Sequence, residues 1–113
     1  MKTRRSYWTK RIKISLSDSL ILSQFFRVQR GRAVDFSIVL MARIDKRWRY
    51  IKRCDSTKKH GNVPHCHIYK LNGKFHIENI GKKSDNLGVL ARAIIDDIND
   101  NYETILENFR YSN

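Results

Sequence analysis

The stretch LGVLARAIIDDINDNYETILENF, residues 87–109, carries the strongest structural pattern in the sequence. Its apolar residues recur three and four positions apart, which is typical of a helix with one apolar face. Ser84 precedes it as a candidate N-cap, so the sequence predicts a C-terminal helix over residues 84–112. A helix of this length, with acidic residues on its outer face, has to bury its apolar side against another layer of structure.

Two hairpins are predicted ahead of this helix. Residues 20–30 fit both a helix and a strand, but the turn signal at residues 29–32 and the β-forming run 33–44 favour a strand in a hairpin. Asn72-Gly73, between two further strand-like runs, is typical of a second hairpin turn.

Residues 47–54 alternate in a way that predicts a half-buried strand, with Trp48, Tyr50 and Lys52 on one face. The predicted fold class is α+β, a curled antiparallel sheet of about five strands with the long helix packed across it. We expect a single domain over residues 1–113, in which residues 1–15 form a basic, mobile N-terminal segment.

The charge is divided unevenly along the chain. The 113 residues carry 23 Lys and Arg against 11 Asp and Glu, a formal net charge of +12. Residues 1–83 hold 21 of the bases and five acids, whereas residues 84–113 hold two bases and six acids. A basic body favours a phosphate-rich partner, so RNA or single-stranded DNA is the predicted partner. The alternative is that these side chains are merely solvated.

The predicted location is the cytoplasm, without membrane association. No run of eighteen apolar residues is present, and the first residues lack the apolar block of a secretion signal. Cys54 and Cys66 can form at most one bridge, and reduced thiols are the default in the cytosol.

The histidines are clustered, since all four lie between positions 60 and 76. On a strand His65, His67 and Tyr69 would share one face, while Cys66 and Ile68 point into the core. Imidazoles titrate near neutral pH, which suits metal-independent RNA cleavage without a cofactor. One histidine would deprotonate the ribose 2′-OH, its oxygen would attack phosphorus, and a second would protonate the leaving 5′-oxygen.

Arg53 would stabilise the phosphorane, and Asp55 would orient His60 or position the loop. His65 and His67 would serve as acid and base, in no assigned order. The predicted catalytic residues are His60, His65, His67, Arg53, Asp55 and Tyr69. The predicted nucleic-acid-binding residues are Arg47, Arg49, Lys52, Lys58, Lys59, Lys70 and Lys74.

Two metal sites are open alternatives for the same histidines. His65 and His67 could bind a divalent metal with His60 or Asp55 as a third ligand. A structural zinc site could instead combine both cysteines with His60 and His65. Purely structural histidines are the remaining interpretation.

The segment Trp48–Asp55, followed by His60-Gly61, Pro64-His65 and His67, resembles the core of TumE-like toxin components of prokaryotic toxin-antitoxin pairs. The similarity spans residues 34–110, with Cys54 where that family would have an aromatic residue. It implies an RNA-directed toxin, a ribonuclease held inactive by a cognate antitoxin. The positions carried over by the resemblance are Arg53, Asp55, His60, His65 and His67.

His65-Cys66-His67 also resembles the His-hydrophobic-His motif of replication-initiator and transposase nucleases, which nick single-stranded DNA with a metal and a helical tyrosine. Tyr102 would be that nucleophile, although its place in the apolar stripe favours a packed core tyrosine. The non-enzymatic alternative is a binding module that stacks bases on sheet aromatics. An exposed edge strand also allows a homodimer.

Overall fold

The computed structural model describes residues 7–56, 63–82 and 86–112. Its elements are β1 (Lys10–Ser17), β2 (Leu20–Gln29), β3 (Arg32–Ile44), β4 (Arg47–Asp55), β5 (His65–Tyr69), β6 (Phe75–Asn79) and α1 (Leu87–Arg110). The strands form one antiparallel sheet in the order of the sequence, and α1 packs across it. The predicted α+β class is confirmed, with six strands instead of about five.

The additional strand is β1, in a segment predicted to be mobile. Ile12, Ile14 and Leu16 alternate with polar residues, and β1 pairs with β2 in a register that sets Ile14 opposite Leu22. Residues 10–15 of the segment predicted to be mobile therefore belong to a strand, because the alternation supplies a half-apolar strand. Residues 1–6 lie outside the described part of the chain.

The turns agree with their sequence signals. Residues 20–29 are a strand, and the β2–β3 turn has positive φ at Arg30 (51°) and Gly31 (74°). Asp45 and Lys46 adopt φ of 52° and 66° in the β3–β4 turn. Positive φ at both central residues matches the twist of antiparallel strands, so these tight turns hold β2, β3 and β4 in register. Gly73 (φ 86°) turns β5 into β6 as predicted.

The core lies between the sheet and α1. Buried side chains of β2, β3 and β4 meet one apolar side of the helix, where Ile94 and Ile98 are buried. The helix begins after Asn86, whose side chain accepts a hydrogen bond from the Val89 amide at 3.1 Å. Asn86 and not Ser84 is thus the N-cap, and Ser84 lies outside the described residues.

No helix within the described ranges 7–56, 63–82 and 86–112 has both the length and the apolar character needed to cross a lipid bilayer.

Candidate functional site

A β-bulge in β4 decides which side chains face away from the helix. Leu40 of β3 pairs with Lys52 and the next residue, Met41, pairs with Tyr50, so Ile51 is the extra residue. Lys52 therefore shares the helix side with Leu40 and lies 3.8 Å from the Asp97 carboxylate of α1. The prediction that Lys52 shares a face with Tyr50 is wrong, because the alternation breaks at the bulge. Its predicted role in nucleic-acid binding stays a prediction.

Beyond the bulge, Arg53 and Asp55 join Tyr50 on the sheet face opposite α1, which we call the distal face. The pairing of β4, β5 and β6 continues this face across the sheet. On these three strands it carries Trp48, Tyr50, Arg53, Asp55, His65, His67, Tyr69, Phe75, Ile77 and Asn79. The predicted sharing of one face by His65, His67 and Tyr69 is confirmed, as is the burial of Cys66 in the core.

Three potential metal ligands meet on the distal face. Asp55 pairs directly with His65 across β4 and β5, and His67 lies two residues along β5. One donor atom from each side chain lies within 4.8 Å of the others. We call these three residues the His–Asp cluster. They are 7%, 2% and 4% exposed in the order Asp55, His65 and His67, so the cluster is almost fully excluded from solvent.

Contacts with Val63 and Arg53 hold the cluster in position. The Nδ1 atom of His65 lies 2.9 Å from the Val63 carbonyl oxygen, which can only accept, so Nδ1 carries the proton and donates. The Arg53 Nε lies 3.0 Å from Oδ2 of Asp55. The predicted role of Asp55 toward His60 falls outside the described residues, and Asp55 is instead paired with Arg53.

An aromatic platform, formed by Tyr50, Tyr69 and Phe75, adjoins the cluster. Ring centroids are 5.6 Å apart for Tyr50 and Tyr69 and 5.4 Å apart for Tyr69 and Phe75. His67 contacts the platform, with its ring centroid 5.0 Å from that of Phe75. Tyr50 is 46% exposed and Phe75 is 51% exposed, so the platform presents ring surface to solvent beside the buried histidines.

Tyr69 was predicted as a catalytic residue because it shares the face of the histidines. Burial raises the pKa of its phenol, although the nearby Arg53 charge partly opposes this shift. A phenol with a raised pKa stays protonated at neutral pH, so Tyr69 can donate a hydrogen bond but is unsuited to act as a base.

The predicted nucleic-acid-binding residues do not form one surface. Arg49 belongs to the helix side, where its guanidinium lies 5.4 Å above the Phe109 ring and donates to the Leu71 carbonyl. Lys70 and Lys74 are exposed where β5 turns into β6. Arg47 is exposed at the start of β4, opposite Ile44, and Lys58 and Lys59 lie outside the described residues.

Sequence reasoning missed other cations on the distal face. Arg11, Lys13 and Arg43 are exposed there, as their pairing registers show. Among the described strand residues, the acids on this face are Asp35 and Asp55, and both are buried. The signal available in the sequence was the spacing of Arg11 and Lys13, which are two residues apart and therefore share one face of β1. The exposed charge of the distal-face strands is therefore positive.

A disulfide joins Cys54 and Cys66 at directly paired positions of β4 and β5. The expectation of reduced thiols is contradicted in this structure, because the hairpin register brings the two residues face to face. Both sulfur atoms lie in the core on the helix side. The structural zinc site that would combine the cysteines with His65 is therefore wrong, since the disulfide and His65 occupy opposite faces of the sheet.

Comparison with known proteins places the chain in a family but not in a functional class. No curated protein and no solved structure matches it. A family model described as Domain of unknown function (DUF7718) matches residues 2–113. Because the match covers nearly all of the chain, this protein belongs to the DUF7718 family.

Proposed function

We propose that this protein binds single-stranded RNA on its distal face and cleaves the bound strand beside His65 and His67. The observation that carries the proposal is the contact between the aromatic platform and the His–Asp cluster, whose His67 and Phe75 rings lie 5.0 Å apart. A base stacked on the platform would bring the neighbouring sugar and phosphate toward the histidines.

The platform favours a single strand over a duplex. Bases of a single strand can be splayed out and stacked on sheet aromatics, whereas bases inside a duplex already stack on one another. Tyr50 and Phe75 are each about half exposed, and an exposed aromatic ring can stack with any of the four bases. The proposed recognition therefore depends on strandedness more than on sequence.

The charge distribution supports a polyanion approaching the distal face. Arg11, Lys13 and Arg43 are exposed there. The exposed acids of α1 are Asp96, Asp97, Asp100, Glu103 and Glu107. Because the helix covers the other side of the sheet, phosphates are attracted to the distal face and repelled from the helix layer.

The cleavage step uses the two histidines that the sequence singled out. Their ring centroids are 5.1 Å apart, so both can address one phosphodiester. One imidazole would take the 2′-OH proton while that oxygen bonds to phosphorus, and the 5′-oxygen would leave with a proton from the other. At 2% and 4% exposure, His65 and His67 require a local opening of the distal face before they reach the backbone.

The alternative of DNA nicking by Tyr102 is less well supported. Tyr102 is half-buried on α1 and packs against the core. The sheet separates it from the histidines of the distal face, so a nucleophile and a metal could not meet at one phosphate.

The test is a panel of single-stranded RNA, single-stranded DNA and duplex RNA. Each is offered to wild type, to a His65→Gln/His67→Gln double variant and to His76→Gln, with EDTA or with added metal. His76 is the matched control, a histidine of β6 with a side chain 52% exposed. We expect preferential binding of single-stranded RNA, with cleavage by wild type and His76→Gln alone.

Three results would contradict the proposal in whole or in part. Cleavage that persists in the double variant would reveal a contaminating nuclease, and duplex bound as tightly as single strand would exclude the platform. Binding without cleavage would leave a non-catalytic RNA-binding module. Circular dichroism of each variant separates loss of chemistry from loss of fold.

The toxin role, the cognate antitoxin partner, the cytoplasmic location and the homodimer remain predictions attached to this proposal. Affinity purification of tagged protein from its own cells would detect an antitoxin as a stoichiometric partner. Since disulfides persist mainly in oxidising compartments, the redox state of Cys54 and Cys66 in that material also tests the cytoplasmic location.

A further inference from the structure

We infer that Asp55, His65 and His67 form a binding site for one divalent first-row transition-metal ion, such as Zn²⁺. The inference concerns occupancy of the His–Asp cluster and stands whether or not RNA binds. Only the catalytic role of the ion rests on the proposed function.

The pairing of β4 with β5 places the three proposed ligands next to one another. Asp55 and His65 are direct partners across β4 and β5, and partners of this kind have Cβ atoms about 5 Å apart. His67 follows two residues later on the same face. The three side chains are nearly fully buried, so water would compete little with their attraction for a cation that all three can bind at once.

The hydrogen bond of His65 orients that ring as a ligand. Because Nδ1 donates to the Val63 carbonyl at 2.9 Å, Nε2 is the ring nitrogen that would bind the ion. Histidines that bind metals commonly donate their second ring nitrogen to a backbone carbonyl or a carboxylate in this way. This contact therefore selects the tautomer that metal binding needs.

The Arg53 contact involves one of the two carboxylate oxygens of Asp55. Arg53 Nε pairs with Oδ2 of Asp55 at 3.0 Å, so Oδ1 is the oxygen assigned to the ion. As the ion-pair partner of this carboxylate, the Arg53 guanidinium is an outer contact of the proposed site. Arg53 thereby acquires a positioning role.

The donor set selects the class of ion. Two imidazoles with a carboxylate suit Zn²⁺, Fe²⁺, Mn²⁺ or Co²⁺, whereas Mg²⁺ and Ca²⁺ prefer oxygen ligands. Ligand atoms about 2.1 Å from a tetrahedral ion lie about 3.4 Å apart. Since the three donor atoms lie within 4.8 Å of one another, modest side-chain rotations complete the site.

A bound ion would change the chemistry that the sequence predicted. In the metal-loaded protein His65 and His67 would hold the ion, which would polarise the phosphate or lower the pKa of a bound water. The acid-base step of the proposed function describes the metal-free protein. Cleavage that continues in EDTA would assign the reaction to the two histidines, and cleavage that EDTA stops would assign it to the ion.

The test measures metal binding in the absence of RNA. The full chain is stripped with EDTA, exchanged into metal-free buffer and titrated with Zn²⁺ by calorimetry and with Co²⁺ by visible absorption. Asp55→Asn and His67→Gln remove single ligands. His76→Gln is the control, because His76 and Glu78 are an exposed pair 3.3 Å apart that could hold an adventitious ion.

We expect one Zn²⁺ per chain, unchanged in His76→Gln and at least about 100-fold weaker in either ligand variant, beyond the usual effect of outer contacts. Mg²⁺ should not compete. The inference would be overturned if wild type did not bind Zn²⁺ stoichiometrically, or if the ligand variants bound Zn²⁺ with the affinity of wild type. Loss of Zn²⁺ binding in His76→Gln would also overturn it.

A second measurement protects the test against variants that fail to fold. X-ray absorption of zinc-loaded wild type should give only nitrogen and oxygen neighbours at about 2.0–2.2 Å. Sulfur at about 2.3 Å would assign the ion to the cysteines and refute the site. Zinc binding without RNA binding would contradict the proposed function alone, and the reverse result would contradict the metal site alone.

Discussion

Replacing Tyr50 with alanine should weaken the binding of single-stranded RNA while leaving the protein folded. Its ring is 46% exposed and stacks on Tyr69 at 5.6 Å, so one face remains for a base. Loss of one base–aromatic stack costs about 1–3 kcal/mol. Because 1.4 kcal/mol is a factor of ten, the Kd should rise between about 5-fold and about 150-fold.

The same structure predicts a small effect on stability. Removing the Tyr50–Tyr69 ring pair costs about 0.5–1.5 kcal/mol, which is small beside the ~5–15 kcal/mol stability of an ordinary domain. Tyr50→Phe keeps the ring and should bind RNA like wild type. Tyr111→Ala is the matched control, because Tyr111 is 80% exposed beyond the end of α1.

The assay is fluorescence anisotropy of a labelled single-stranded RNA with 2′-O-methyl riboses, at constant salt, because a blocked 2′-oxygen cannot attack phosphorus and cleavage does not interfere. Thermal denaturation of each variant verifies folding. Equal Kd values for Tyr50→Ala, Tyr111→Ala and wild type would refute the platform as the binding surface. If Tyr50→Phe bound as weakly as Tyr50→Ala, the hydroxyl and not the ring would be responsible.

Three further predictions concern salt, redox state and pH. If four phosphates are contacted, raising monovalent salt from 50 to 200 mM should weaken RNA binding about 50-fold, and salt-independent binding would contradict the electrostatic argument. Reduction of the disulfide, which joins residues 12 apart, should lower the free energy of unfolding by about 3 kcal/mol in urea denaturation. Identical curves for oxidised and reduced, alkylated protein would refute this. A hydrogen bond to Asp35, and secondarily burial, raises the pKa of Tyr7 above its ordinary 10.0. Its contribution to stability is therefore complete below that value and is lost as pH rises through the folded-state pKa, so the Tm of wild type should fall more steeply than that of Tyr7→Phe in alkaline buffers. Parallel Tm curves would show that the Tyr7 contact contributes no pH dependence.

Much of the fold follows from local patterns. The helix is visible in the spacing of residues 87–109, and the turns are visible at Gly31 and Asn72-Gly73, where positive φ or turn chemistry is needed. Strand β1 was missed although Ile12 and Ile14 alternate, because the basic residues around them suggested a solvated segment. In the structure β1 is stabilised by backbone hydrogen bonds to β2, and the sequence of β1 alone does not reveal this pairing.

The site was less predictable because it depends on register. Alternation alone put His65 and His67 on one face, but their proximity to Asp55 requires the pairing of β4 with β5. The bulge at Ile51 has no sequence signal of its own, yet it moves Lys52 to the helix side. The disulfide was hidden for the same reason, since spacing along the chain does not reveal which strand positions face each other.

The sequential order of the sheet has a consequence for how the chain folds. Each strand pairs with its neighbour along the sequence, so β1 to β6 can assemble as successive hairpins with little loop-closure entropy. The helix that covers their apolar side follows all six strands in the chain. Without that helix the sheet would expose Leu22, Ile38 and Leu40, and exposed apolar sheet surface promotes aggregation. A truncation before α1 should therefore yield insoluble protein even though every strand is intact.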